Sequence, residues 1–482
     1  MSDLIVAEKP ESIYDYDYEL PGQQYDYDQQ ESPLPKGLLF IFSLFLLLKC
    51  LVPASKGRYI PFLWGSYIWW SEVLFIGLAL IMVCYRLFSG LPRISKDTKH
   101  KVLIPILLLG LFQVISMSWN GQGKIEKAYS LIQSVMMCSA VLAVVFFISG
   151  RTFADRQRII FRLTMILIFV ILVYMGLSFL FPSLRPSSAY MERTVYTLGF
   201  IRVFGPLAPS STLSFALFPA LSYSISMLFV PGKSKLFWIT AILIALVGIV
   251  GTGSRASILG LMMFVFVFVL VYKIGALKIV LPMAVLFGLV IAAVGIPERF
   301  RNFEDIARME TYKTALRAVS SSPQAFIGGV GHGHLYSLLY DNTLRSLHHK
   351  DRWYLAKKNS SYGFTLRNSH SSFLQPLAEN GVIGFCLFII MPSLLLWRLF
   401  ARRYSCIKDV KMQQARITLV GCMAGAVLMP LDVYILSNTW LTFIWLAFAI
   451  AAIETISEAY RQTKMERYYE DSGIRPEEEL RF

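Results

Sequence analysis

His370-Ser371-Ser372-Phe373-Leu374-Gln375-Pro376-Leu377-Ala378-Glu379-Asn380-Gly381-Val382-Ile383-Gly384 is the stretch where a long polar segment runs into an apolar one. The apolar run that it opens, near 379-398, has about the length needed to cross a bilayer core. His370 and Ser371 are followed by nine residues, then Gly381, two residues and Gly384. Five of the six histidines (His332, His334, His348, His349 and His370) fall in the polar segment, and the sixth is His100. Imidazole is the side chain whose charge changes most easily near neutral pH, so gathering it on one side of a membrane points to chemistry there.

Outward from that junction the apolar pattern repeats. The 482 residues are 55% apolar and only 16% charged, against roughly a quarter charged in soluble domains. The apolar residues come in twelve runs, near 37-53, 66-88, 102-118, 129-149, 159-181, 206-230, 236-251, 257-272, 279-296, 379-398, 416-434 and 438-455. The expected fold is an all-α polytopic membrane protein with about twelve transmembrane helices. The short runs 236-251 and 257-272 flank Gly251-Thr252-Gly253-Ser254-Arg255, whose glycines favour a turn over one long helix. A net charge of +15 then says little about nucleic acid, and no phosphate loop, zinc-ligand spacing or RNA-binding aromatic signature is present.

Orientation follows from Lys and Arg in the short loops. With a cytosolic N-terminus the inner loops carry 19 basic residues and the short outer loops 8. Both termini are therefore expected inside, in a bacterial cytoplasmic membrane. Residues from about 297 to 375 then form one long outer, periplasmic loop, and Arg202, Arg255 and His370 share its face. The expected organisation is a tail at 1-35, spans one to nine in 36-296, the outer loop at 297-375, spans ten to twelve in 376-456, and a cytosolic tail at 457-482. The first 35 residues hold nine acids and one base, with Tyr14-Asp15-Tyr16-Asp17-Tyr18 echoed by Tyr25-Asp26-Tyr27-Asp28. Such a segment has too little aliphatic content to build a core and is expected to be a disordered, solubilising tail. The six cysteines lie in apolar runs or inner loops and suggest no disulfide framework.

Within the outer loop, residues 303-320 have helical spacing and are expected to form a surface helix. Gly328-Gly329-Val330-Gly331-His332-Gly333-His334 follows as a flexible turn, in which His332 and His334 are expected to be solvated. The histidines lack carboxylate or Cys partners at metal spacing, so no metal site is expected. Asp432, near the outer end of a span, is an ionisable intramembrane candidate that could equally cap its helix.

Arg202 lies in Arg-Val-Phe-Gly-Pro-Leu-Ala-Pro just before a span, and Arg255 in Ser-Arg-Ala-Ser between two spans. Guanidinium groups keep their charge and bind phosphate oxygens bidentately, which suits a lipid diphosphate at the membrane surface. Taken singly, each has an ordinary reading: Arg255 snorkelling from a turn, Arg202 one of three arginines in its loop, His370 a solvated helix start. Their order and common face give them joint meaning.

Together these pieces resemble the O-antigen ligase and polymerase superfamily of bacterial envelope glycosyltransferases. The His-Ser-x9-Gly-x-x-Gly stretch at His370–Gly384 resembles its signature. Ser254-Arg255-Ala256 is similar to its Ser-Arg segment, Arg202 with Gly205 and Pro209 to its earlier outer loop, and Arg308 with Gly329–Gly333 to the approach to the signature. The resemblance implies transfer of a glycan from undecaprenyl diphosphate to an acceptor hydroxyl outside the cytoplasmic membrane, without cofactor or metal. It implies His370 as the base that activates the acceptor, Arg255 and Arg202 on the diphosphate, and Arg308, His332 and Ser371 in support. The partners implied are the lipid-linked donor, a glycan or lipid acceptor and the membrane, with no nucleic acid. Ligase and polymerase remain equally open. The competing class is a transporter of a small anion or glycan, but carriers place polar breaks near the midplane and repeat their halves, and no repeat is visible here.

Overall fold

The computed structural model describes residues 70–88, 94–118, 124–180, 210–252, 255–272, 306–335, 371–401, 409–426 and 439–472, with strand residues 59–61 and 67–69 and positions 37, 40, 43 and 44. The strands Tyr59–Pro61 (β1) and Tyr67–Trp69 (β2) pair antiparallel, Ile60 opposite Ile68. Every other regular element among the described residues is helical. In chain order these are Trp70–Phe88 (α1), Lys96–Ser116 (α2), Lys124–Ile148 (α3), Phe153–Leu180 (α4), Ser210–Met227 (α5), Lys235–Gly251 (α6) and Arg255–Tyr272 (α7). They continue with Ile306–Val319 (α8), Pro323–Gly328 (α9), Leu374–Phe400 (α10), Val410–Ala426 (α11) and Thr439–Ser472 (α12).

Four described helical stretches are long and apolar enough to span a membrane: Lys96–Ser116, Ser130–Ile148, Leu374–Phe400 and Thr442–Met465. Shorter apolar helices run over Ala79–Phe88, Leu213–Met227, Lys235–Gly251 and Ala256–Val271. The expected break between the seventh and eighth runs is present, since α6 ends at Gly251 and α7 begins at Arg255. The expected run at 279-296, most of 37-53, Asp432 and the acidic tail lie outside the described residues.

Local chemistry sets several boundaries. Ser95 accepts the Thr98 N–H at the start of α2, and Ser234 accepts the Phe237 N–H at the start of α6. Helix α2 passes through a π turn at Lys99–Leu103 just before Pro105. Proline has no N–H for the carbonyl four residues back, and a wider turn absorbs the mismatch.

The centre of the bundle is α5, α11 and α12. Residues 442–457 of α12 are all buried, as are residues 414–426 of α11. Small residues let these helices touch, as expected where lipid gives no hydrophobic drive to association. A Cβ at Gly421 would overlap the Phe218 carbonyl oxygen of α5. Ser222 donates to the Ile417 carbonyl and accepts the Gly421 N–H at 3.2 Å. Trp445 donates from Nε1 to the Cys422 carbonyl at 2.9 Å and stacks on Phe215.

One end of the bundle is tied by charge. Glu454 of α12 is buried and accepts from Ser95 Oγ at 2.8 Å, Thr98 Oγ1 at 2.6 Å, the Gly150 N–H at 3.0 Å and Ser149 Oγ. Arg156 stands 3.6 Å from Glu454 and also pairs with Glu458. Arg398 reaches Asp97, which accepts from Ser457 at 2.8 Å. Arg86 donates to the Ser149 carbonyl at 2.7 Å. A buried carboxylate costs several kcal/mol unless satisfied, and Glu454 meets that demand with four donors besides the arginine.

Candidate functional site

The opposite end carries Ser371, His332, the end of α6 and the start of α7. There the glycine-rich segment after α9 docks on the start of α10. Helix α8, expected on the surface, lays Ala315, Ala318 and Val319 against Leu335 and against Ala378 of α10. The loop backbone then pairs with α10: the Val330 N–H donates to the Ala378 carbonyl at 2.9 Å, and the Gly331 N–H to the Glu379 carbonyl at 2.9 Å.

Two glycines make this approach feasible. Gly381 interrupts α10 with φ 62° and ψ −164°, and Gly329 has φ 79°. A Cβ at Gly381 would overlap the Ile327 carbonyl, and one at Gly329 would overlap Glu379 and the Asn380 amide. L side chains resist positive φ, and here nothing larger than hydrogen fits between the two backbones. The signature's first glycine is thus a backbone crossing point. Gly384 lies nearly a turn beyond it, packed against Asn380.

The crossing seals a polar cluster. His332 is 2% exposed, so its imidazole is buried and not solvated as expected from the sequence. Its Nδ1 stands 2.9 Å from Glu379 Oε2, a close electrostatic contact rather than an aligned hydrogen bond. Gln375, one turn earlier on α10, donates from Nε2 to Glu379 Oε1. The His332 N–H donates to Ser116 Oγ at 3.3 Å, and Ser116 Oγ lies 3.2 Å from Asn380 Oδ1. On α3, Ser134 donates to Gln113 Oε1 of α2 at 3.0 Å. Helices α2, α3 and α10 and the loop therefore meet through amide, hydroxyl, carboxylate and imidazole groups in a desolvated space, where such contacts are strengthened.

Ser371 is buried, and its Oγ accepts the Phe373 and Leu374 N–H groups at 3.3 and 3.1 Å, capping the first turn of α10. The cap fixes where the chain leaving residue 370 enters the helix. His370 and Arg202 lie outside the described residues. Arg255 is the first residue of α7 and Arg308 lies in the first turn of α8; their side chains lie outside the described part. The structure thus brings His332 and Ser371 to one end of α10. Where α6 ends and α7 begins, Thr252, Ser214 and Ser257 form a second buried polar cluster.

Residues 240–389 match the O-antigen ligase family. The match covers about a third of the chain and supports a likeness to the O-antigen ligase superfamily over that stretch. No curated protein matches the chain. The O-antigen ligase match runs from within α6 to within α10, and so takes in Arg255, Arg308, His332, His370 and Ser371 but not Arg202. Gln113, Ser116, Gln375, Glu379 and Asn380 were not singled out from the sequence. The readable signal was Glu379, an acid opening an apolar span one turn after Gln375, since ionisable residues at such depth need partners.

Proposed function

We propose that this protein transfers or polymerises a glycan from undecaprenyl diphosphate onto an acceptor hydroxyl at the outer face of the cytoplasmic membrane. The observation that carries the reading is the family match at 240–389, which holds both a candidate base, His370, and a permanent cation, Arg255. The gathering of Arg86, Arg151, Arg156 and Arg398 at the Glu454 end supports placing that end in the cytosol and the His332 end outside.

The reaction needs one proton moved and one leaving group stabilised. His370 accepts the proton of the acceptor hydroxyl as its oxygen bonds to the anomeric carbon. The bond from that carbon to the diphosphate oxygen breaks, and its electron pair leaves with undecaprenyl diphosphate. Negative charge thus grows on the diphosphate, where Arg255 and Arg202 act; fixed cations are most effective where charge develops. A positioned base contributes about a hundred- to ten-thousand-fold. Arg308, His332 and Ser371 support the site, Ser371 by fixing the start of the helix that His370 precedes.

Arg255 gives the test. Arg255→Ala is expected to cost about 2.7–4 kcal/mol in transition-state stabilisation, comparable to losing one oxyanion donor. Arg255→Lys keeps the charge but not the planar fork, and is expected to be impaired as well. Activity per folded molecule is measured with lipid-linked glycan extracted from the producing strain. Normal activity in both variants would remove Arg255 from the mechanism, and altered solute uptake without a glycan defect would favour a transporter.

A further inference from the structure

We infer that the buried hydroxyls of Ser214, Thr252 and Ser257 are positioning residues for Arg255, locking the start of the helix whose first residue it is. The inference rests on the reading of Arg255 as a diphosphate ligand and adds residues to that site. Thr252 caps the end of α6 and Ser257 is the third residue of α7, so the two lie on either side of Arg255. Ser214 sits on α5, the helix that follows the segment bearing Arg202. All three are fully buried. Ser257 Oγ donates to Ser214 Oγ at 2.6 Å, Thr252 Oγ1 lies 3.1 Å from Ser214 Oγ, and Thr252 Oγ1 lies 3.2 Å from Ser257 Oγ. Thr252 Oγ1 also donates to the Ile249 carbonyl at 2.7 Å.

The geometry closes a triangle across three helix ends. Gly253, a residue type of wide backbone freedom, follows Thr252 in the sequence. A helix that starts two residues after such a glycine needs other contacts to fix its first residue. Bonding both flanks to the same α5 side chain removes that freedom. A single hydrogen bond between membrane helices is weak, so the triangle adds little to overall stability. Its effect falls on placement, and misplacing a binding group by about 1 Å can cost about a hundredfold in rate.

The test is a double-mutant cycle on the full-length protein in detergent, with undecaprenyl diphosphate as the binding probe. Thr252→Val keeps the side-chain volume and removes the hydroxyl; Thr252→Ser restores it. Arg255→Ala is expected to weaken binding about tenfold, the worth of one charge-assisted contact. Thr252→Val is expected to weaken it several-fold at unchanged melting temperature, with Thr252→Ser near wild type. If Thr252 acts through Arg255, then Thr252→Val has no further effect in the Arg255→Ala background. Losses that add in the double variant, or normal binding by Thr252→Val beside a defective Arg255→Ala, overturn the positioning role and leave the functional reading intact. Normal binding by Arg255→Ala overturns both.

Discussion

At the residue scale, the packing of the polar end turns on Gly381 and Glu379. Gly381→Ala puts a methyl group where the Ile327 carbonyl sits, at a φ that L residues avoid. The conformational cost alone is about 1–2 kcal/mol, and the overlap adds to it by forcing the loop off α10. Gly232→Ala is the control, because its φ is 75° but nothing lies within 4 Å of the added Cβ. Thermal unfolding in detergent should therefore show a clearly larger drop for Gly381→Ala than for Gly232→Ala. Glu379→Ala removes one partner from Gln375 and one from His332 Nδ1 in a desolvated site. Losing a buried polar contact costs about 1–3 kcal/mol. Glu379→Gln keeps an oxygen and an amide in the same volume and is expected to melt above Glu379→Ala. Gly381 was legible in the sequence because spacing marks it. The burial of His332 was not, since a Gly-His-Gly-His turn reads as solvent-exposed until a second backbone is laid across it.

At the element scale, the sequence marked where helices start and stop better than which of them lies at the centre. The break after Gly251 signalled a boundary that the structure contains, whereas the caps Ser95 and Ser234 were not singled out. That α12 is enclosed while α6 keeps Leu236, Ile239, Leu243 and Val247 exposed could not be read, because lipid and protein core demand the same apolar residues. What betrays the central helices is their small and polar content: Gly421 and Gly425 on α11, Ser214, Ser222 and Ser226 on α5, Glu454 on α12. Gly421→Leu tests this directly. The Cβ already overlaps the Phe218 carbonyl, so the larger side chain must separate α5 from α11. Overpacking of this kind costs about 1–3 kcal/mol and occasionally more, and it should lower the yield of monodisperse protein. Leu243→Ala, on an exposed face of α6, should leave that yield unchanged.

At the scale of the whole molecule, the chain has a charged end and a polar end. Glu454, Asp97 and buried arginines knit one; His332, Glu379 and the hydroxyls of α2, α3 and α5 line the other. The proposed orientation sets Lys233 in the cytosol and Lys313 outside, and both are exposed. Lys313→Cys should react with an impermeant maleimide in outer-permeabilised cells, and Lys233→Cys only once the inner membrane is broken; the reverse pattern would invert the assignment. The most direct measurement of the central claim is glycan transfer by purified wild type and His370→Ala, using lipid-diphosphate-linked glycan and an acceptor fraction from the producing strain. The account predicts product and released undecaprenyl diphosphate with wild type, and neither with a His370→Ala protein that melts normally. Wild-type rates from that variant would contradict it.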